Sequence, residues 1–103
     1  MAYCLIADNR NGTAEIYEQV IQEVAKSGEL PPPGSIFQVA GPHEGGWRVI
    51  SLWESREAQE RFRDERLIPA FQEVGVERGD MSWSDFEAHH FIAGDLSGAA
   101  QLG

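Results

Sequence analysis

Two rhythms of apolar and polar residues run along this chain. Tyr3 to Ala7 is a short apolar run closed by Asp8-Asn9-Arg10-Asn11-Gly12, a cluster of turn formers, and reads as a strand ending near Ala7. Ile16, Tyr17, Val20, Ile21 and Val24 then recur at three- and four-residue spacing, the single apolar stripe of a helix packed on one side. Thr13 is placed to cap its start and Glu15 and Glu18 lie near its positive end. Lys26 and Gly28 mark its stop. Pro31-Pro32-Pro33-Gly34 excludes helix and central strand and predicts a stiff extended connector.

A strand over Ser35 to Ala40, ended by Gly41-Pro42, comes next. Gly45-Gly46 permits a reversal, and Trp47 to Glu54 returns as the other arm of a hairpin. The returning strand is the informative one. Trp47, Val49, Ser51 and Trp53 share one face, and Arg48, Ile50, Leu52 and Glu54 the other. Both faces carry large apolar groups, so both are expected to be covered, and one layer of helices covers only one.

Ser55 is a good cap for a second helix, with Glu57 in its first turn. The charged run from Arg56 to Arg66 reads as a solvated face with pairs such as Glu57 to Arg61, rather than as a recognition surface. The apolar stripe begins at Ala58 and Phe62 and does not continue at Arg66. It restarts at Leu67, Ile68, Phe71 and Val74. Pro69 predicts a kink near Leu67 and Ile68, and Gly75 an end. After a loop over Val76 to Asp80, a fourth strand is expected between Trp83 and Ile92, holding Phe86, Ala88, His89, His90 and Phe91. Residues 1–93 read as one domain and 94–103 as a flexible tail. The order strand, helix, strand, strand, helix, strand predicts an α+β, ferredoxin-like βαββαβ fold, with an antiparallel four-stranded sheet and two helices on one face.

A chain of 103 residues fits one domain with a limited core, which oligomerisation would enlarge. Eight Lys and Arg against 17 Asp and Glu give a formal charge of -9, which argues against a nucleic-acid partner and against an anionic membrane surface. The single cysteine, Cys4, forms no intrachain disulfide and reads as a small buried residue rather than a nucleophile. The first residues lack the pattern of a signal peptide, and no apolar run is long enough to span a membrane, so the expected address is the cytoplasm.

His43, beside the hairpin turn, and His89, in the last strand, are the candidate acid–base groups, each with a structural alternative: an exposed loop residue and a hydrogen-bonded strand residue. His89 and His90, as strand neighbours, would point to opposite faces and cannot line one pocket. No histidine pair has metal-ligand spacing, so no metal is implied. Trp47, Trp53, Phe62, Phe86 and Phe91 could wall an aromatic pocket, or simply be core and interface. Asn9 and Tyr17 are polar candidates near its mouth. No phosphate loop, nucleophile elbow or paired-carboxylate arrangement is present.

With Gly46-Trp47 opening a strand that closes in Trp53-Glu54-Ser55, Phe62 in the next helix, the break from Leu67 to Pro69 and His89 near the end, the chain resembles the dimeric α+β barrel superfamily, and within it the antibiotic biosynthesis monooxygenase-like domains. The resemblance implies two sheets packed face to face in a homodimer, and ligand cavities between sheet and helices. It implies a small hydrophobic substrate, aromatic or polyketide-like, and cofactor-independent oxygenation or cyclisation and isomerisation; a small ligand-binding or stress-associated dimer is the non-catalytic alternative. The haem-degrading branch of that superfamily is a poor match, because Phe62 and Gln72 stand where it has Trp and His. We expect sedimentation at micromolar concentration to show twice the 11.4 kDa of one chain; an 11.4 kDa species would refute the dimer.

Overall fold

The hairpin and the two helix caps fix most of the architecture. The computed structural model describes residues 2–94, so the tail expected over 94–103 lies, from 95 on, outside the described residues. The elements are β1 (Ala2–Asn9), α1 (Ala14–Lys26), β2 (Ser35–His43), β3 (Gly46–Trp53), α2 (Arg56–Phe62), α3 (Ile68–Val74) and β4 (Met81–Ala88). A π turn, Arg63–Leu67, joins α2 to α3, and a 3-10 turn, Arg78–Asp80, precedes β4. All strand pairs are antiparallel and the sheet order is β2-β3-β1-β4. This is the ferredoxin-like sheet with its helices on one face.

Local chemistry accounts for the boundaries. The Thr13 hydroxyl accepts the Ile16 N–H at 3.1 Å and the Ser55 hydroxyl accepts the Ala58 N–H at 3.1 Å, so each helix starts where its cap stands. α3 ends at Gly75, whose φ of 92° is the left-handed cap. The hairpin turns at Glu44 and Gly45, both with positive φ (49° and 80°), the geometry that matches strand twist.

Three strands differ from the sequence-based expectation, and the first is β1, which runs past Ala7 to Asn9, paired with Trp47. β2 does not stop at Gly41-Pro42 but runs on to His43, which pairs with Gly46. Pro42 is tolerated because β2 is an edge strand, where one side of the backbone needs no partner. β4 begins at Met81 and ends at Ala88, so His89 and His90 lie beyond the strand and are exposed rather than held in the sheet. The helix break also has its own solution. The Ile68 N–H bonds the Arg63 carbonyl five residues back, the signature of a π turn. That widened turn brings Phe62 and Leu67, five apart, onto the same side, and both pack on the buried Val20, Val24 and Ala70.

The charged helix run holds one residue that is not merely solvated. Arg66 reaches α1 and donates to the Val24 carbonyl (2.7 Å), the Glu29 carbonyl (2.7 Å) and the Ser27 hydroxyl (3.0 Å). It thus adds a charged donor to the Val24 carbonyl, which already accepts from Ser27, bonds the Glu29 carbonyl beyond α1, and ties the helices together. Glu57 and Arg61 are not paired; Arg63 pairs with Asp64 and Arg56 with Asp85 instead.

The sheet face away from the helices carries Cys4, Ile6, Ile50, Leu52, Phe37, Val39 and Phe86, by the register of the pairs. Phe91 stacks on Phe37 with ring centroids 5.4 Å apart. Because β4 and β2 are opposite edges, the segment after β4 must cross this face to reach Phe37. That crossing accounts for the burial of Cys4 and Leu52, while Phe86 remains 54 % exposed and Ile92 80 %. We expect Arg66→Met to lower unfolding stability by about 1–3 kcal/mol, the scale of charged hydrogen bonds lost at a helix end, measured by denaturant titration.

Candidate functional site

The other sheet face and the helices enclose an apolar cavity of about 110 Å³. β3 supplies Trp47, Val49, Ser51 and Trp53, because its alternate residues all point at the helices. α1 adds Ile16, Tyr17, Val20, Ile21 and Val24, the stripe read from the sequence, and α2 adds Gln59 and Phe62. Asn9, Thr13 and Gln38 complete the polar part of the wall. Among the described lining residues none is charged and none is a histidine.

Each aromatic group is positioned by a specific partner. Trp53 is 2 % exposed; its indole N–H donates to the Ser51 hydroxyl at 3.0 Å and its ring lies 5.3 Å from Phe62. Tyr17 lies 5.5 Å from Trp47, and its hydroxyl accepts the Gln38 amide N–H at 2.6 Å. The Trp47 indole N–H is buried and has no hydrogen-bond partner. A buried donor left unpaired costs about 1–3 kcal/mol, so an acceptor arriving in the cavity would relieve a cost already present.

Close backbone approaches shape the mouth. A Cβ on Gly12 would stand 2.6 Å from the Trp47 Cβ, and one on Gly46 would collide with the Asn9 carbonyl. Glycine at these two places lets the loop after β1 close against the hairpin. The loop is pinned further by Asp80, which accepts from Asn11 and Arg10, each at 2.8 Å. Those bonds, with that from Asn11 the stronger influence, hold the Asp80 carboxyl below its ordinary range.

A second, polar cavity of about 270 Å³ lies on the far side of Trp47, lined by His43, Asp8, Arg10, Glu44 and Asp80. Asn9, Trp47 and Met81 line both cavities and form the wall between them. Arg48 clamps Asp8 through two bonds of 2.7 and 2.9 Å and holds that carboxyl below its usual range. His43 Nε2 is 3.6 Å from a Glu44 carboxylate oxygen.

Of the residues singled out from the sequence, Trp47, Trp53, Phe62, Asn9 and Tyr17 therefore meet around one cavity. Phe86 and Phe91 are on the opposite face of the sheet. His43 faces the polar cavity, and His89 lines neither. Sequence reading missed Gln38, Ser51 and Gln59. Ser51 alternates in phase with Trp47 and Trp53, which was a usable signal; the phase of Gln38 was hidden by the register shift between Ser35 and Phe37. Among the described residues no three metal-ligating side chains come together, and no helix is long and apolar enough to cross a membrane.

No protein-family model matches the sequence, and no curated protein matches it. Solved structures do. A candidate antibiotic biosynthesis monooxygenase from Caulobacter crescentus is 17% identical, with a TM-score of 0.66 over 86% of this chain and 91% of that one. SnoaB, a cofactor-independent oxygenase from Streptomyces nogalater, is 14% identical, with a TM-score of 0.60 over 88% and 95%. A dimeric ferredoxin-like protein of unknown function from Thermobifida fusca is 20% identical, with a TM-score of 0.61 over 85% and 92%. At these identities the likeness is one of fold alone: the chain shares the ferredoxin-like architecture of these structures.

The pairing of β1 with the edge strand β4 offers a pH test of packing. Tyr3 is buried and donates to Asp85 at 2.7 Å, and burial first, then that bond, pushes its pKa up to about 12. A raised pKa means the folded state favours the protonated phenol. Its contribution is whole below the ordinary value of 10.0 and is lost as pH rises through about 12. Tyr3→Phe should flatten the alkaline fall in melting temperature over that window, with unfolding followed by circular dichroism.

Proposed function

We propose that the apolar cavity takes a flat, hydrophobic, aromatic or polyketide-like compound and that the protein oxygenates it without a cofactor. The observation that carries this reading is the wall itself: Tyr17, Trp47, Trp53 and Phe62 around about 110 Å³, with an unpaired indole N–H at Trp47 and no charged lining residue. Aromatic faces bind flat rings, and one unpaired donor would orient a carbonyl or phenol oxygen. The fold likeness to SnoaB supports the choice of oxygen chemistry.

Without a cofactor, the electrons that reduce oxygen come from the substrate. An activated methylene loses protons, its carbon becomes a carbonyl with one oxygen atom, and the other oxygen leaves as water. The substrate must supply its own acidity, since Tyr17 is the one titratable group lining the apolar cavity. His43, across the Trp47 wall, is the group proposed to accept the proton through the polar cavity, in preference to the exposed His89. Assembly through the open sheet face as a homodimer belongs to the same proposal. Its support is the exposed Val39, Phe86 and Ile92 on or beside that face and the dimeric description of the Thermobifida protein.

The absence of charge on the cavity wall also favours a second reading, a dimer that holds its ligand unchanged. Extraction of co-purified ligand, followed by turnover of hydroxylated aromatic compounds with and without oxygen, separates the two. Product that appears only with oxygen uptake is expected. Product without oxygen would indicate a cyclase or isomerase, and an unaltered bound ligand a carrier. Trp47→Phe should weaken ligand binding about 5–30-fold, the worth of one or two hydrogen-bond energies, with the melting temperature showing that the fold persists. His43→Ala should lower turnover by roughly a hundredfold and His89→Ala should leave it unchanged.

A further inference from the structure

A third cavity, of about 160 Å³, opens on the β4 side of the helix-facing layer. Its floor is apolar: Leu5, Ala7, Leu67, Phe71 and Met81, with Trp83 at one side, 57 % exposed. Its rim carries Arg56, Arg63 and Arg78. These are three of only eight Lys and Arg in a chain whose formal charge is -9. Solvated charge would not gather the scarce sign around an apolar hollow with an exposed indole.

The rim is only partly neutralised. Arg56 lies 3.3 Å from Asp85 and over the Tyr3 ring, and Arg63 pairs with its neighbour Asp64. Arg78 makes no ion pair among the described residues. Glu60 and Asp85 also line the cavity and Asp64 is held by Arg63, so three guanidinium groups face three carboxylates, and Asp85 is already held by the Tyr3 hydroxyl and Arg56. The hollow is therefore locally neutral inside a strongly negative molecule, and Arg78 is the rim guanidinium left to meet an incoming anion. Guanidinium groups are weakly hydrated, planar and well suited to a carboxylate.

We infer that this hollow is a second binding site, for a small amphipathic organic anion such as an aromatic carboxylate. The apolar part would lie on Leu67, Phe71 and Trp83 and the carboxylate would meet Arg78 and Arg63. The inference goes beyond the oxygenase reading and stands whether or not the first cavity turns anything over. Leu5, Ala7, Gln59, Leu67, Phe71 and Met81 line both cavities, so the two sites share a wall that includes the Gln59 amide, while the charged groups line the second cavity alone.

The test is titration of the full chain with 2-naphthoate and with neutral 2-naphthol, followed by Trp83 quenching against Trp83→Phe as the blank, so that naphthol entering the first cavity is not counted. Naphthoate should bind at least about tenfold more tightly, and Arg78→Gln with Arg63→Gln should remove that preference while the melting temperature holds. Tyr17→Phe should leave naphthoate binding intact. Equal affinity for the two probes would overturn the site, as would a preference that survives the double substitution. Loss of naphthoate binding in Tyr17→Phe would place the probe in the first cavity and equally overturn it. Displacement of naphthoate by inorganic phosphate at equal concentration would show charge attraction without a built site.

Discussion

Trp53 is where the sheet and the helices meet, and much of the molecule is arranged around it. Its indole N–H is satisfied by Ser51, two residues back on the same strand face, so the ring can be buried without an orphan donor. Its face packs on Phe62, and Phe62 in turn lies beneath the guanidinium of Arg66. Arg66 then closes the end of α1. One chain of contacts thus runs from β3 through α2 and the π turn to α1. It sets how far the helices stand from the sheet, and that spacing is what leaves a cavity rather than a filled core.

The layering imposes a second constraint. Both helices lie on one side, so β1 and β3 present apolar residues to two different environments. On the helix side the demand for burial is met by α1, α2 and α3. On the other side, among the described residues, only the strap ending in the Phe91–Phe37 stack covers Cys4 and Leu52, and Val39 and Phe86 are exposed. The polar cross-strand pair of Asp8 and Arg48 lies on this same face, toward the hairpin end. The face is therefore apolar in its middle and charged at one end.

The candidate chemistry divides along the same lines. The apolar cavity has aromatic walls and an unpaired donor but little to move a proton with. The titratable groups collect in the polar cavity behind Trp47, where Asp8 and Asp80 are kept ionised by their arginine and asparagine partners. Trp47 is the partition, which makes it the residue through which binding and proton transfer would communicate.

Short-range patterns in the chain specify the element order, both helix caps, the α1 stripe and the two-faced character of β3. Each of these rests on local chemistry or on short periodicity, and neither needs knowledge of distant partners. The tertiary structure alone decided where β2 and β4 end, because Pro42 is acceptable only on an edge strand, and the register with β1 draws β4 back to Met81 and releases His89. It also decided that the Phe62 to Leu67 jump is a π turn on one face, and that Arg66 is a cap rather than a solvated charge. Those outcomes depend on contacts 40 residues or so apart in the chain, such as Arg66 with Val24 and Glu29, for which periodicity carries no signal.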